Sequence, residues 1–246
     1  SLHDALPIYL FHNILDKVSP EEVNYFSFSL DGPSSSINDP IRGKGSFEKC
    51  ISGIRRAVQK GFHTSLIYTV SSDNIGQLHR MPRLLKELGV QRFFIQVIGI
   101  RGKSAGNRND HSKMLQLTRK EWISVIPSVA DIAARMGIAV TWPKVFLSPE
   151  EPFYCAGLVA DNYFIFPNGR VYRCPLCEDY PVHGMFIENN HLLATAGINE
   201  CDLFKLSIPE GCVMNKIVQP ENLCYSADGK PEYRVACCML KEEIVP

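Results

Sequence analysis

Three cysteines flank a short stretch of strand-forming residues in the second half of the chain, CAGLVADNYFIFPNGRVYRCPLC (Cys155–Cys177). Thiolates hold iron–sulfur clusters and zinc, and pairs of thiols form disulfides. The segments YFIF and RVYRC are typical of two antiparallel strands joined at Pro-Asn-Gly, where Gly169 supplies the positive φ that the turn needs. Such a hairpin brings Cys155 and Cys174 to the same end, so both sulfurs can hold one ligand.

These thiols are compatible with three chemistries. Disulfides are disfavoured in a cytosolic chain, because the reducing environment keeps thiols open. Zinc fits Cys174-x-x-Cys177, which is half of a ribbon-type site. The cysteines that could complete that site lie further along the chain: Cys212, Cys224, Cys237 and Cys238. An iron–sulfur cluster takes up to four thiolates with irregular spacings across long gaps. One Cys-x-x-Cys does not decide between zinc and a cluster.

The composition is that of a globular protein without a strongly charged partner. Of 246 residues, 45% are hydrophobic, and 26 Lys and Arg balance 26 Asp and Glu. A neutral balance predicts neither a nucleic-acid partner nor an anionic membrane partner. The longest apolar runs, such as FFIQVIGI (Phe93–Ile100), have the length of a strand, and no segment resembles a secretory signal. We therefore expect a cytoplasmic protein.

The first eight residues, SLHDALPI (Ser1–Ile8), are expected not to belong to the natural protein. They lack an initiator Met and match the translation of a common sequencing adapter. Segments of this kind are left out of fold reasoning. This start predicts that the chain is truncated before Tyr9.

From there a strand followed by a helix recurs along the chain. Strands are predicted at Val23–Leu30, Ser65–Val70, Arg92–Ile100 and Ile138–Trp142. Helices are predicted at Ser46–Gly61, Asn74–Gly89 and Thr118–Gly137. Ser46 is the expected N-cap of the first helix, Pro82 is expected to interrupt the second, and Thr118 with Glu121 forms a capping box in the third.

Strands that are apolar throughout and separated by helices predict a parallel sheet, as a partial barrel or an open sheet. Ligands gather at the carboxyl ends of such strands, where SLDGP and IRGKSAGN lie. The long polar loop at Gly99–Leu117, which contains Arg101, is a candidate lid. After about Pro149 the helical periods fade and eight of the nine cysteines follow, so a second, irregular module is expected.

Two segments carry a family resemblance. FSLDGPSSSINDPIRGKGSFEKCISGIRRAVQKG (Phe28–Gly61), followed by YTVSSDNIGQL (Tyr68–Leu78), resembles the middle of radical S-adenosylmethionine enzymes. A strand ending in Ser-x-Asp-Gly-Pro, an Arg, a Gly-Ser-Phe helix start and a Thr-Val-x-x-x-Asn strand end occur there in this order. The tail pattern Cys155-x13-Gly169-x4-Cys174 is similar to the opening of the SPASM or shorter twitch extension.

The resemblance implies an α/β fold: the C-terminal part of a partial (β/α)6 TIM-like barrel, followed by a small cysteine-rich domain containing a β-hairpin. The implied boundaries are residues 9–148 for the truncated barrel and 149–246 for the SPASM- or twitch-like iron–sulfur domain, after the artefact at residues 1–8.

The resemblance also implies the chemistry. S-adenosylmethionine would be cleaved reductively to a 5'-deoxyadenosyl radical, which abstracts hydrogen from a substrate such as a peptide or protein. A flavodoxin or ferredoxin is the implied reductant. Ser29 and Asp31 are expected at the rim that holds the cofactor, with Arg42 as partner of its methionine carboxylate.

The chain departs from the family pattern in two places. No Cys-x3-Cys-x2-Cys is present in these residues, and this motif would hold the cluster that cleaves S-adenosylmethionine. It is expected upstream of Tyr9, so the fragment alone should be inactive. The tail also lacks the run Cys-x2-Cys-x5-Cys-x3-Cys of a full SPASM module. One auxiliary 4Fe–4S cluster is therefore expected, held by Cys155, Cys174, Cys177 and Cys212.

Each assignment has an alternative. The chain as a whole could be a zinc-stapled, non-catalytic α/β binding module. Ser29 and Asp31 could shape a turn, and Arg42 could form a surface ion pair of little energetic weight. Cys50, within the first helix, is expected to be an ordinary small buried residue.

Overall fold

A computed structural model describes residues 11, 13–98, 115–159, 161–177, 182–236 and 239–246 of the chain. The chain divides into two compact units. The first comprises the described residues up to Pro143 together with Lys241–Pro246, and the second is Lys144–Leu240. Within the described residues, no helix has both the length and the apolar composition that crossing a membrane requires.

The first unit is built on one five-stranded sheet. Its strands are β1 (Phe26–Ser29), β2 (Thr64–Val70), β3 (Arg92–Val97), β4 (Ala139–Pro143) and β11 (Lys241–Ile244). They lie in the order β1-β2-β3-β4-β11. Strands β1 to β4 are parallel, and β11 pairs antiparallel with β4. The predicted parallel sheet is confirmed.

Within the described residues, α-helices lie between these strands at α1 (Ser35–Arg42), α2 (Ser46–Gln59), α3 (Met81–Leu88) and α4 (Arg119–Arg135). A 3-10 helix at Ile75–Arg80 leads into α3. Pro82 lies in the first turn of α3, where the backbone N–H groups make no bonds within the helix, so a proline costs nothing there. The single helix predicted from the sequence is therefore divided just before Pro82. The capping box of Thr118 and Glu121 at the start of α4 is confirmed.

The start of α2 differs from the expectation. The helix begins at Ser46, but its N-cap residue is Gly45, which has no side chain to bond the first N–H groups. The cap comes from Asp39 of α1, whose carboxylate accepts hydrogen bonds from the N–H groups of Gly45 (2.7 Å) and Phe47 (2.9 Å). These two bonds lower the pKa of Asp39. The carboxylate stabilises the free N–H groups at the helix start and joins α1 to α2.

The two faces of the sheet differ in burial. On β2, Leu66, Tyr68 and Val70 are fully buried, whereas Ile67 and Thr69 on the opposite face are half-buried. Polar pairs occur on this second face, including the 2.8 Å hydrogen bond between the hydroxyls of Ser27 and Ser65. The expectation of strands apolar throughout therefore holds for one face only. A face of this kind can present polar groups to a ligand.

The second unit contains a four-stranded antiparallel sheet, a two-stranded ladder and short helices. The sheet has the order β6 (Phe164–Ile165), β7 (Arg170–Tyr172), β8 (Met185–Glu188) and β9 (His191–Ala194), and the ladder joins β5 (Phe146–Leu147) to β10 (Arg234–Val235). The helices are α5 (Ala156–Val159), α6 (Glu200–Phe204) and α7 (Val213–Val218), with 3-10 turns at Pro175–Cys177 and Pro220–Asn222.

The structure has the predicted hairpin. Strands β6 and β7 pair antiparallel, and Gly169 adopts a φ of 81° in the turn between them. Cys174 follows β7 closely, and Cys155 precedes α5. The hairpin is extended by β8 and β9, which the sequence pattern did not predict.

Candidate functional site

A buried carboxylate lies at the carboxyl end of β1. Asp31 is 4% exposed, and both of its carboxylate oxygens have partners. Oδ1 accepts a hydrogen bond from the Thr69 N–H on β2 (3.0 Å), and Oδ2 lies 2.6 Å from Nε of Arg42 at the end of α1. The predicted residues Asp31 and Arg42 are therefore in direct contact. This carboxylate joins the ends of β1 and β2 to α1.

Asn74, which follows β2, also links the end of β1 to the end of β2. Its side-chain amide donates to the carbonyls of Asp31 (3.2 Å) and Thr69 (2.9 Å), and its Oδ1 accepts from the Ser71 N–H (2.8 Å). The hydroxyl of Tyr68 donates to the Asn74 carbonyl (3.0 Å). The Ser-x-Asp-Gly-Pro and Thr-Val-x-x-x-Asn segments thus form one hydrogen-bonded network. Asn74 was not among the predicted site residues, although it is the last residue of the second motif.

The position of α1 is set by Asn38, which is fully buried. Its Oδ1 accepts from the Asp31 N–H (2.9 Å), and its Nδ2 donates to the Ser46 hydroxyl (2.8 Å). These bonds hold α1 between the end of β1 and the start of α2. As a result, Arg42 is positioned by the backbone of α1 as well as by its ion pair.

Ser29 lies two residues before Asp31 and is half-buried at the end of β1. Its carbonyl accepts a hydrogen bond from the Cys50 thiol (3.5 Å). Burial raises the pKa of that thiol to about 11, and Cys50 is half-buried as a packed side chain of α2. Within the described part of the chain the Ser29 hydroxyl has no hydrogen-bond partner, so it is available to a ligand.

The second unit contains a pocket lined by thiols. Three of the predicted metal ligands, Cys155, Cys174 and Cys212, line it together. The other lining residues are mainly apolar: Phe153, Gly157, Phe204, Leu206, Val213 and Met214. Cys174 and Cys212 are 4% and 6% exposed. The fold therefore brings sulfurs from three separate segments into one apolar pocket.

The Cys212 and Cys155 thiols have raised pKa values, and burial is the main cause. Burial raises the pKa of Cys212 to about 12, and the neighbouring Cys174 and Cys155 contribute. Burial also raises the pKa of Cys155, with a contribution from Cys174. Without a metal the Cys155 and Cys212 thiols stay protonated at neutral pH, and a bound metal would replace their protons. The donor set and the apolar lining fit an iron–sulfur group.

Cys177 is buried in the same apolar cluster but does not line the pocket. Its pKa is raised well above the ordinary range, first by a hydrogen bond with Cys174, then by burial, and further by Glu200. Glu200 is fully buried, and burial raises its pKa. Cys177 thus lies close both to Cys174 and to a carboxylate that the sequence analysis did not single out.

Cys201 was also missed by the sequence analysis. It follows Glu200 in α6, is half-buried, and is close enough to Cys155 to raise the pKa of that thiol. Its spacing from the other cysteines matches no motif, so the sequence carried no local signal for it. Cys201 is seen to be a neighbour of Cys155 only in the structure, where α6 packs beside the pocket.

Seven cysteines of the described chain form no disulfide: Cys50, Cys155, Cys174, Cys177, Cys201, Cys212 and Cys224. Among the described residues, no three His, Cys, Asp or Glu side chains converge as ligands of a single metal ion. Thiolates of a cluster bind separate iron atoms and need not converge on one point. Other residues singled out in the sequence lie outside the described residues: Arg101 with most of the candidate lid, Cys237 and Cys238.

Sequence comparison finds relatives among curated proteins. The chain is 28% identical over 102 residues to the pre-heme d1 synthase of Dinoroseobacter shibae, covering 40% of this chain and 25% of that protein. It is 24% identical over 179 residues to the mycofactocin maturase MftC of Mycobacterium ulcerans, covering 67% of this chain and 43% of that protein. The chain therefore spans less than half the length of either relative. No protein-family profile matches it.

Structure comparison finds the crystal structure of Streptococcus suis SuiB bound to S-adenosylmethionine. The sequence identity is 12% and the TM-score is 0.48. The match covers 78% of this chain and 44% of the SuiB chain.

Proposed function

Because the chain belongs to the radical S-adenosylmethionine superfamily, we propose that the protein containing it cleaves S-adenosylmethionine reductively. The resulting 5'-deoxyadenosyl radical would abstract a hydrogen atom from a substrate. We propose a peptide or protein as the substrate, in line with the relative named as a maturase, and a flavodoxin or ferredoxin as the reductant.

The network of Asp31, Asn74 and Arg42 is the observation that carries this proposal. It joins the two segments that resemble the family at the carboxyl ends of β1 and β2, the edge where parallel sheets bind ligands. A turn-shaping role alone would not require a cation at this edge. The side chain of Arg42 is 31% exposed while that of Asp31 is 6% exposed, so the pair reaches from the interior to an accessible surface.

The residues of this edge have different proposed roles. Asp31 uses both oxygens within the protein, and its task is to orient Arg42 and the ends of the strands. Arg42 keeps its two Nη groups free of hydrogen bonds within the described chain, and a planar guanidinium fits the carboxylate of a methionine moiety. The Ser29 hydroxyl is the group proposed to contact the nucleoside.

In the second unit we propose that Cys155, Cys174 and Cys212, with Cys177 beside them, hold an auxiliary 4Fe–4S cluster. Such a cluster supplies one-electron chemistry when bound. The apolar lining of the pocket would exclude water from the sulfurs. The 246 residues contain no Cys-x3-Cys-x2-Cys, so we propose that they do not turn over S-adenosylmethionine without that motif.

Anaerobic loading of the chain with iron and sulfide tests this proposal. We expect a broad brown absorbance, with bound iron and sulfide in equal amounts. Replacing both Cys155 and Cys174 by Ala should abolish the colour, because both thiols line the pocket. Replacing the exposed Cys224 by Ala is the matched control and should leave it unchanged.

The same experiment distinguishes the cluster proposal from its alternative, a zinc-stapled module without catalytic activity. The Cys174 and Cys177 pair, buried side by side, is the observation in its favour. Stoichiometric zinc binding, with a chain that stays colourless after loading with iron and sulfide, would replace the cluster proposal.

A further inference from the structure

The fully buried carboxylate of Glu200 is an unusual neighbour for a set of thiols. A buried carboxylate is costly unless hydrogen-bond donors surround it. Here the carboxylate contacts three different segments. Its Oε1 accepts from the Arg173 N–H (2.8 Å). The Cys177 thiol and the backbone N–H of Gly184 lie close to the carboxylate, and Oε2 has no hydrogen-bond partner within the described residues.

Each of these contacts involves a segment that lies next to the thiol site. Arg173 directly precedes Cys174, and Cys177 ends the 3-10 turn that follows. Glu200 is the first residue of α6, the helix that carries Cys201 and the pocket-lining Phe204. One side chain therefore fixes the Cys174–Cys177 turn relative to α6.

A second observation limits the freedom of this arrangement. The backbone N–H of Glu200 donates to the Val182 carbonyl (3.1 Å). A Cβ added at Gly184 would lie 3.4 Å from Oε1 of Glu200. The backbone of Glu200 is thus bonded to Val182 and its Oε1 lies against Gly184, so the carboxylate that bonds the Arg173 N–H has little room to move.

We propose that Glu200 is a positioning residue of the thiol site, which holds Cys174 and Cys177 in place before any metal is loaded. That the site binds a metal rests on the proposed function. The positioning by Glu200 does not, because it is a property of the metal-free chain and can be measured in that chain. A site whose donors are already in place loses less conformational freedom on binding its metal.

The first measurement is the rate of alkylation of each cysteine in the reduced, metal-free chain, by iodoacetamide and peptide mapping. In Glu200→Ala we expect Cys174 and Cys177 to react about tenfold faster, because local opening of the turn exposes them. Glu200→Gln keeps an oxygen acceptor for the Arg173 N–H and should react within about twofold of the parent chain. Glu188→Gln, an exposed residue of β8, is the matched control.

Cys212 serves as the internal reference, because it lies in the same pocket but outside the segments that Glu200 contacts. Its reactivity should not change in Glu200→Ala. Equal reactivity of Cys174 and Cys177 in the parent and in Glu200→Ala overturns the inference. So does faster reaction of Cys212 in step with them, which would mean that the whole unit opens.

The second measurement is the iron and sulfide bound after anaerobic loading. We expect Glu200→Ala to bind less than about half of the parent's amount, and Glu200→Gln to restore it. If Glu200→Gln fails as completely as Glu200→Ala, the positioning role is overturned. If the parent binds no iron while alkylation still distinguishes the variants as expected, the cluster proposal fails and the positioning role of Glu200 is upheld.

Discussion

Nε of Arg42 lies 2.6 Å from Oδ2 of Asp31, and the two side chains differ sharply in exposure, 31% against 6%. The buried member is held by the Thr69 N–H on the neighbouring strand. The accessible member is placed by α1, which Asn38 fixes to the end of β1. The pair therefore fixes the position of a cation relative to the carboxyl ends of the parallel strands.

Asp31→Asn should destabilise the first unit. The amide nitrogen would face Arg42, a donor against a donor, or take the position that accepts from the Thr69 N–H. One buried partner is then left without its hydrogen bond, which costs about 1–3 kcal/mol. Denaturant unfolding measures the loss.

The matched control for this variant is Asp73→Asn, an exposed carboxylate in the same region of the chain. It should change the free energy of unfolding by less than about 0.5 kcal/mol. Equal effects of the two substitutions would contradict a structural role for the Asp31 carboxylate.

Arg42→Lys should weaken the binding of S-adenosylmethionine to the protein that contains this chain. Lysine keeps the positive charge but loses the planar fork, so we expect about a tenfold higher Kd. Equilibrium dialysis with labelled S-adenosylmethionine measures it. The control is Arg55→Lys on the exposed side of α2, which should bind like the parent. An unchanged Kd for Arg42→Lys would show that Arg42 does not bind the cofactor and only neutralises the charge of Asp31.

The elements that could be predicted from the sequence are those with a regular hydrophobic period. Strands β1 to β4 and helices α2 and α4 follow from such periods and from local caps. Helix α1 was missed because its sequence, SSINDPIR, is rich in residues that favour turns. Local patterns predict Ser46 as the N-cap of α2, whereas the N-cap is Gly45 and the capping carboxylate is that of Asp39 in the preceding helix, which local patterns do not include.

The site was predictable to the extent that its residues lie within motifs. Spacing singled out Cys155 and Cys174, and the structure brings them into one pocket with Cys212. Glu200 and Cys201 could not be predicted, because only the packing of α6 brings them beside the thiols. Strand β11 was not predicted either, because its pairing with β4 joins residues about a hundred positions apart.

Cys50 should make the stability of the first unit depend on pH in the alkaline range. Burial raises the pKa of its thiol from 9.0 to about 11 in the folded chain. The folded state therefore keeps the proton after the unfolded chain has lost it. This stabilisation is complete below about pH 9 and is lost as the pH rises to about 11, amounting to at most about 2–3 kcal/mol.

Replacing Cys50 by Ala isolates this contribution, because every other titrating group remains. The free energies of unfolding of the parent and of Cys50→Ala should differ by a constant amount below pH 9, and the parent should lose stability faster above it. Parallel curves from pH 7 to pH 11 would show that the thiol is not protected in the folded chain.

Gly169→Ala should disrupt the hairpin that carries Cys174. Gly169 has a φ of 81°, and an added Cβ would lie 2.9 Å from the Ile187 carbonyl oxygen of β8. Gly229 has a nearly equal φ of 79° but no atom within 4 Å of its added Cβ. Gly229→Ala should therefore cost only the backbone strain, about 1–2 kcal/mol, whereas Gly169→Ala should cost about 1–3 kcal/mol more. Denaturant unfolding and iron uptake measure both variants, and equal losses would mean that β8 moves away from the turn without cost.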